Sequence, residues 1–181
     1  MTATTPEEDK AMTYKNVSDY PEIIRNGIIA GAAGGLAEMA WVSLYAYATG
    51  GNAAILARGV TTAAGVSALL PASPVGLGVA VHMSLAVVLG VALTFAWRGF
   101  SAQRGGATNP YPFMLAALAG IWAVNFFIVL PIVSPGFIHM VPYAVSLTSK
   151  LLFGLAAAEV LRREAAYAPS LRPVLLTRKA K

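Results

Sequence analysis

The chain has 181 residues, of which 57% are hydrophobic and 12% are charged, and its formal net charge is +5. Soluble domains contain about 45–50% apolar and about 25% charged residues, so this composition is typical of a membrane protein. Cysteine is absent, which excludes disulfides, cysteine-ligated metal sites and thiol nucleophiles.

Residues 1–26 precede the first apolar segment and carry both acidic and basic side chains. Glu7, Glu8 and Asp9 stand where a secretory signal would have a basic region, so the segment does not resemble a cleaved signal peptide. We expect a cytoplasmic tail, followed by a first membrane helix that itself directs insertion.

A helix that spans a bilayer needs about 20 apolar residues. Windows of that length lie at residues 27–49, 77–97, 111–133 and 141–161. The sequence therefore predicts an all-α, polytopic membrane protein in which residues 27–161 form a bundle of four transmembrane helices. The outer connection, residues 50–76, is long enough to hold a short helix at the membrane surface.

Basic residues predict the orientation of these helices. With four spans, the N-terminus, the second connection and the C-terminus lie on one side. That side holds Lys10, Lys15, Arg25, Arg98, Arg104, Arg162, Arg163, Arg172, Arg178, Lys179 and Lys181. The positive-inside rule makes it cytoplasmic, with residues 162–181 as a basic tail. The positive charge is thus a topology signal, and we expect no nucleic-acid partner.

Two ionisable residues lie near the middle of predicted spans, where a charge is costly. Glu38 in the first window and Lys150 in the fourth lie at nearly the same depth. We expect them to form a buried ion pair, with Asn125 of the third window completing the polar cluster. Such a cluster either fixes the register of the helices or relays a proton or an ion.

Small residues predict which helix faces pack closely. The glycines concerned are Gly27, Gly31, Gly34, Gly35 and Gly154. On a helical wheel the first four lie on the side of Glu38, and the last shares a stripe with Lys150. Both charged side chains are therefore predicted to face protein rather than lipid.

Two His-Met pairs, His82-Met83 and His139-Met140, belong to the outer side of the predicted topology. Imidazole and thioether together suit copper, and two imidazoles suit haem b. The alternative is that His82 hydrogen-bonds to a neighbouring helix and that His139 is an ordinary interfacial residue.

The glycine-rich first helix, the long outer connection, the run VHMS at residues 81–84 and the run KLLFG at residues 150–154 occur in that order. This order resembles a group of uncharacterised bacterial four-helix integral membrane proteins. The resemblance implies a helical bundle in the bacterial inner membrane and implies no reaction. It also implies a histidine where this chain has Lys150, so a two-histidine site does not carry over.

No Ser-His-Asp set, carboxylate pair or phosphate loop occurs in a suitable context, so the sequence does not predict an enzyme. The favoured hypothesis is a non-catalytic accessory or assembly subunit that packs in the bilayer against other membrane subunits or a second copy. One alternative is a haem- or copper-binding protein using the outer His and Met residues. The other is a small transporter or proton relay using Glu38 and Lys150.

Overall fold

The computed structural model describes the backbone of residues 6–105 and 108–178, and the side chains of residues 20–105, 108–136 and 138–165. Its helices are α1 (Pro6–Ala48), α2 (Ala53–Ala63), α3 (Pro74–Gln103), α4 (Pro110–Val124), α5 (Leu130–Val133) and α6 (Tyr143–Arg178). A π-helical turn, Asn125–Val129, joins α4 to α5, and the short 3-10 segment Pro135–His139 precedes α6. No strand occurs in these described ranges.

Four helical segments are long and apolar enough to cross a membrane, which confirms the predicted fold class. They are Tyr20–Ala48, Pro74–Gln103, Pro110–Val133 and Tyr143–Ala165. Their ends differ from the apolar windows by up to seven residues, because the helical backbone continues beyond the apolar run. The described backbone of the two predicted tails is likewise helical, as part of α1 and α6.

The contacts between α1 and α6 define an antiparallel pair. At one end Arg25 Nη2 lies 3.0 Å from Glu164 Oε2, and near the other end Trp41 Nε1 donates to the carbonyl of Val145 at 3.0 Å. Residue numbers therefore fall along α6 as they rise along α1. Because Arg25 lies near the start of the first span and Glu164 near the end of the last, the two chain termini extend from the same side of the bundle.

Helix α4 packs against α6, also in antiparallel fashion. Trp122 Nε1 donates to Ser146 Oγ at 3.1 Å, and the Tyr111 hydroxyl donates to Glu159 Oε2 at the other end of the contact. Between them, a Cβ on Gly154 would meet Leu118 Cδ1 at 3.1 Å. The chain therefore runs up and down through four spans.

The glycines of α1 face two different helices. A Cβ on Gly27 would lie 2.6 Å from Val91 Cα of α3, and Gly31 and Gly35 also face α3. Gly34 instead meets the Phe153 ring of α6, at 2.6 Å from its Cδ1 atom. The predicted glycine face thus divides between two neighbours, because Gly34 is displaced by about 60° around the helix from Gly31 and by about 100° from Gly35.

The closest approach of α1 and α3 involves a glycine that the sequence reasoning did not select for packing. A Cβ on Gly90 would overlap the backbone of Gly31 and contact the carbonyl of Gly27. Since backbone atoms cannot rotate aside, this crossing depends on the absence of a side chain on both helices.

The long outer connection contains α2, whose first turn is capped by Asn52 accepting from the amide of Ala54 at 2.9 Å. Helix α2 packs against the start of α3, where Gly78 lies against the carbonyl of Ala57. A Cβ at position 78 would overlap that carbonyl, so the contact is again between backbones. The connection therefore adds a packed helix to one end of α3.

The buried apolar core lies toward the side of the termini, and the predicted polar cluster around Glu38 lies beyond its outer end. Its buried members are Ala30, Ala86, Leu93, Trp97, Met114, Leu118, Phe153, Ala157, Ala158 and Leu161. Ala86 and Phe153 are its outermost members on α3 and α6, and the polar residues of those helices begin about one turn beyond them.

The Gly90 contact generates a stability prediction. Gly90→Ala should lower the free energy of unfolding by about 1–3 kcal/mol, because the added methyl group forces α1 and α3 apart. Thermal unfolding in detergent would measure the loss. Gly120→Ala is the matched control, since its Cβ meets nothing within 4 Å and alanine favours a helix. Equal melting temperatures for the two variants would contradict the proposed close crossing.

Candidate functional site: a buried carboxylate between three helices

Glu38 of α1 carries the most enclosed charged group in the described part of the bundle, with a side chain only 4% exposed. Lys150 Nζ of α6 lies 2.6 Å from its Oε1 atom. The two residues that the sequence paired are therefore neighbours across the α1–α6 interface.

The third member of the cluster is His82 of α3. Its Nε2 atom lies 3.6 Å from Glu38 Oε2, and its imidazole interacts with the backbone of Gly35. The sequence predicts for His82 either a metal or haem site or a hydrogen bond to a neighbouring helix, and the structure places its imidazole against helix α1. Counting along the spans places the two residues at similar depths, because His82 lies eight residues after Pro74 and Glu38 lies ten before Ala48, but it does not show that α3 adjoins α1.

Asn125, which we expected to complete the cluster, does not do so. It makes no hydrogen bond or ion pair with Glu38 or Lys150, and it lines a groove on α4. The reason is the helix arrangement, since α4 packs mainly against α6 while α1 lies between α3 and α6. Asn125, at the start of the π-helical turn of this third span, therefore lies away from the carboxylate of α1.

Close backbone packing brings the three side chains together. Gly35 allows α3 to approach α1 one turn before Glu38, with Met83 Sδ 3.1 Å from the position a Cβ would take. Gly34 performs the same role toward Phe153 of α6. The helices thus approach closely at the depth of Glu38. This close approach lets its short side chain reach both α3 and α6.

Each oxygen of the Glu38 carboxylate faces a different helix, with Oε1 toward Lys150 and Oε2 toward His82. Glu38 Oε1 has the ion pair with Lys150, whereas His82 Nε2 has no hydrogen-bond partner in the described ranges. Buried polar atoms are nearly always hydrogen-bonded in folded proteins, so unsatisfied ones deserve a chemical explanation. The arrangement can hold one carboxylate charge against one ammonium, with an imidazole available to accept a further proton.

The two His-Met pairs are placed differently from each other. His82 is directed at Glu38 and Met83 packs at Gly35, whereas His139 ends the exposed 3-10 segment and Met140 is 43% exposed. Among the described residues, no group of three or more His, Asp or Glu side chains is positioned to hold a metal ion. The contacts of His82 are thus with a carboxylate on α1.

A second polar cluster closes the bundle on the side of the termini. Glu159 accepts hydrogen bonds from the Tyr111 hydroxyl, from Arg162 at 2.8 and 2.7 Å, and from Arg163 at 2.6 Å. These groups are partly exposed and hydrogen-bonded to one another, so they tie the start of α4 to the end of α6.

Comparison of the chain with protein-family models, with curated proteins and with solved structures found no match. The function is therefore inferred from the geometry of the Glu38 cluster, which joins α1, α3 and α6.

Removing Lys150 should be strongly destabilising. Lys150→Met leaves the Glu38 carboxylate buried without its cation, which costs about 3–5 kcal/mol of unfolding free energy. Combining it with Glu38→Gln should restore most of the loss, because no unpaired charge remains. Thermal unfolding in detergent would measure both.

Arg25→Gln provides the control for that experiment, because it also breaks an ion pair between α1 and α6. The Arg25 side chain is 62% exposed, and exposed pairs contribute about 1 kcal/mol or less. A Lys150→Met variant no less stable than Arg25→Gln would mean that the Glu38–Lys150 contact contributes little to the bundle.

Proposed function

We propose that this membrane protein binds a proton at the Glu38 cluster and moves it across the bilayer, either as a relay or as part of a small proton-linked transporter. One observation carries the proposal: a carboxylate sealed inside the helical bundle lies between a lysine on one helix and a histidine on another. Ionisable groups within membrane spans are expensive to bury and commonly mark proton or ion pathways.

The histidine raises this hypothesis above the other two that the sequence left open. An unperturbed imidazole changes its charge near neutral pH, whereas a Glu–Lys pair by itself stays neutral over a wide range. A small rotation would bring His82 Nε2 from 3.6 Å to hydrogen-bond distance of Glu38 Oε2. A proton accepted by the imidazole would then have a carboxylate acceptor beside it.

Protonation of His82 also changes the contact on the other side of Glu38. Two cations would then compete for one carboxylate, and the attraction between Glu38 and Lys150 would weaken. Because these residues sit on separate helices, a proton on α3 would loosen the contact between α1 and α6. This coupling is the property that a proton-driven conformational change requires.

Access to the cluster differs among its members. The Glu38 side chain is 4% exposed, but those of His82 and Lys150 are 26% and 22% exposed. The carboxylate is thus enclosed, and only its two partners present surface outside the bundle. The resemblance to uncharacterised bacterial membrane proteins supports the bacterial inner membrane as the location, and the basic residues on the side of the termini support a cytoplasmic placement of that side.

The accessory-subunit hypothesis stays a prediction. Exposed apolar side chains on the outer faces of the spans, such as Leu36, Leu85 and Ile128, are needed for contact with lipid as much as for contact with another subunit. Haem or copper binding also stays a prediction, because the described residues show no contact between the two His-Met pairs.

Proton flux into liposomes would test the proposal. Full-length protein is reconstituted into potassium-loaded vesicles, and valinomycin is added to set a membrane potential. An enclosed pH-sensitive dye should then report faster acidification of the vesicle interior than in vesicles without protein. His82→Gln should reduce this rate at least tenfold, because glutamine cannot carry a proton.

Glu38→Gln combined with Lys150→Met is the second variant, since it removes the acceptor while leaving no unpaired charge. Arg58→Gln, which removes the one Arg of α2, should retain the wild-type rate. The proposal would be contradicted if vesicles with wild-type protein acidified no faster than empty vesicles. It would also be contradicted if the double variant acidified them at the wild-type rate.

A further inference from the structure

Two cavities along α4 form one groove that begins at the basic side of the bundle. The first has a volume of about 510 Å³ and is lined at its mouth by Arg104, Thr108 and Asn109. The second has a volume of about 470 Å³ and continues past Gly120 to Val129. Ala117 lines both cavities, so the two adjoin along α4. We call this feature the α4 groove.

The mouth of the α4 groove is polar and positively charged. Arg104 follows the last residue of α3, and its guanidinium carbon lies 4.3 Å from the centroid of the Phe100 ring, which also lines the cavity. It has no carboxylate partner in the described part of the chain, unlike Arg25, Arg162 and Arg163. Thr108 Oγ1 is buried there and has no hydrogen-bond partner among the described residues.

Below its mouth the α4 groove is apolar except for Asn125 at its far end. Pro112, Phe113, Ala116, Ile121 and Val124 line it in turn. From Pro112 to Val124 the helix rises about 18 Å, which is close to the roughly 15 Å hydrocarbon depth of one leaflet. A ligand that fits this shape has an anionic head and an apolar tail about one leaflet long.

We propose that the α4 groove binds an anionic phospholipid, with its phosphodiester at Arg104 and Thr108 and one acyl chain along the small residues of α4. A guanidinium without a carboxylate partner and an unsatisfied hydroxyl together suit a phosphate oxygen. The groove opens toward the leaflet on the side of the termini, where the basic residues of the chain accumulate. The inference is independent of the Glu38 cluster, which lies nearer the other end of the bundle.

Native mass spectrometry of the delipidated full-length protein, titrated with dioleoyl phosphatidylglycerol, tests the head of the site. Arg104→Gln should weaken binding of the first lipid about fivefold. Arg98→Gln is the matched control, because it removes the same charge from the same end of α3 at a residue that packs on Trp97 and does not line the groove. An equal loss of lipid binding in both variants would mean that the lipid is attracted by the general positive charge of this end of the bundle. That result would overturn the proposed site.

The apolar part of the site has its own pair of variants. Gly120 and Gly99 both have open space where a Cβ would stand, but only Gly120 lines the α4 groove. Gly120→Leu should weaken phosphatidylglycerol binding several-fold, and Gly99→Leu should not. No difference between these two leucine variants would exclude an acyl chain from the groove.

Two further ligands separate the possible sources of the phosphate. Dioleoyl phosphatidylcholine has the same tails without a net charge and should bind more weakly than phosphatidylglycerol. Soluble glycerol phosphate should not displace the bound lipid at equal concentration. Displacement by glycerol phosphate would identify a site for a free phosphate ester and would overturn the lipid assignment.

Discussion

The interior of this bundle depends on one electrostatic constraint: the Glu38 carboxylate lies where water cannot solvate it. A charge in that position needs a compensating cation at fixed distance, and Lys150 supplies it at 2.6 Å from another helix. Sliding α6 by one turn along α1 would separate the two charges by about 5 Å and leave both in apolar surroundings. The pair therefore selects one register of the two helices from several that apolar packing alone would permit.

The remaining contacts along this interface agree with that register. Trp41 meets Val145 on one side of the ion pair, and Gly34 meets Phe153 on the other. An indole hydrogen bond to a backbone carbonyl and a ring seated on a glycine are both specific to one position. Charge, hydrogen bonding and shape thus specify the same alignment, and such agreement between separate interactions is expected of a sequence with one dominant structure.

The sequence is sufficient to predict the four spans and the Glu38–Lys150 contact, because hydropathy and helical periodicity are local properties of the chain. It is not sufficient to predict the third partner. Whether His82 or Asn125 reaches Glu38 depends on which helices adjoin α1, and that arrangement is decided by glycine contacts between distant segments. Gly90 illustrates the same limit, since its importance comes from Gly31 across the interface rather than from any pattern within α3.

The π-helical turn of the third span has a consequence for which side of that span meets lipid. Buried residues of α4 recur every four positions at Pro110, Met114 and Leu118, and Phe126 and Leu130 continue the spacing. In a regular helix each step of four advances by about 40°, so the stripe would wind away from its partner. The turn, in which the Leu130 amide bonds to the carbonyl of Asn125, unwinds the helix locally and corrects this drift. If the same five residues formed a regular α-helix, Leu130 would be carried farther around the helix axis and exposed to the surrounding acyl chains.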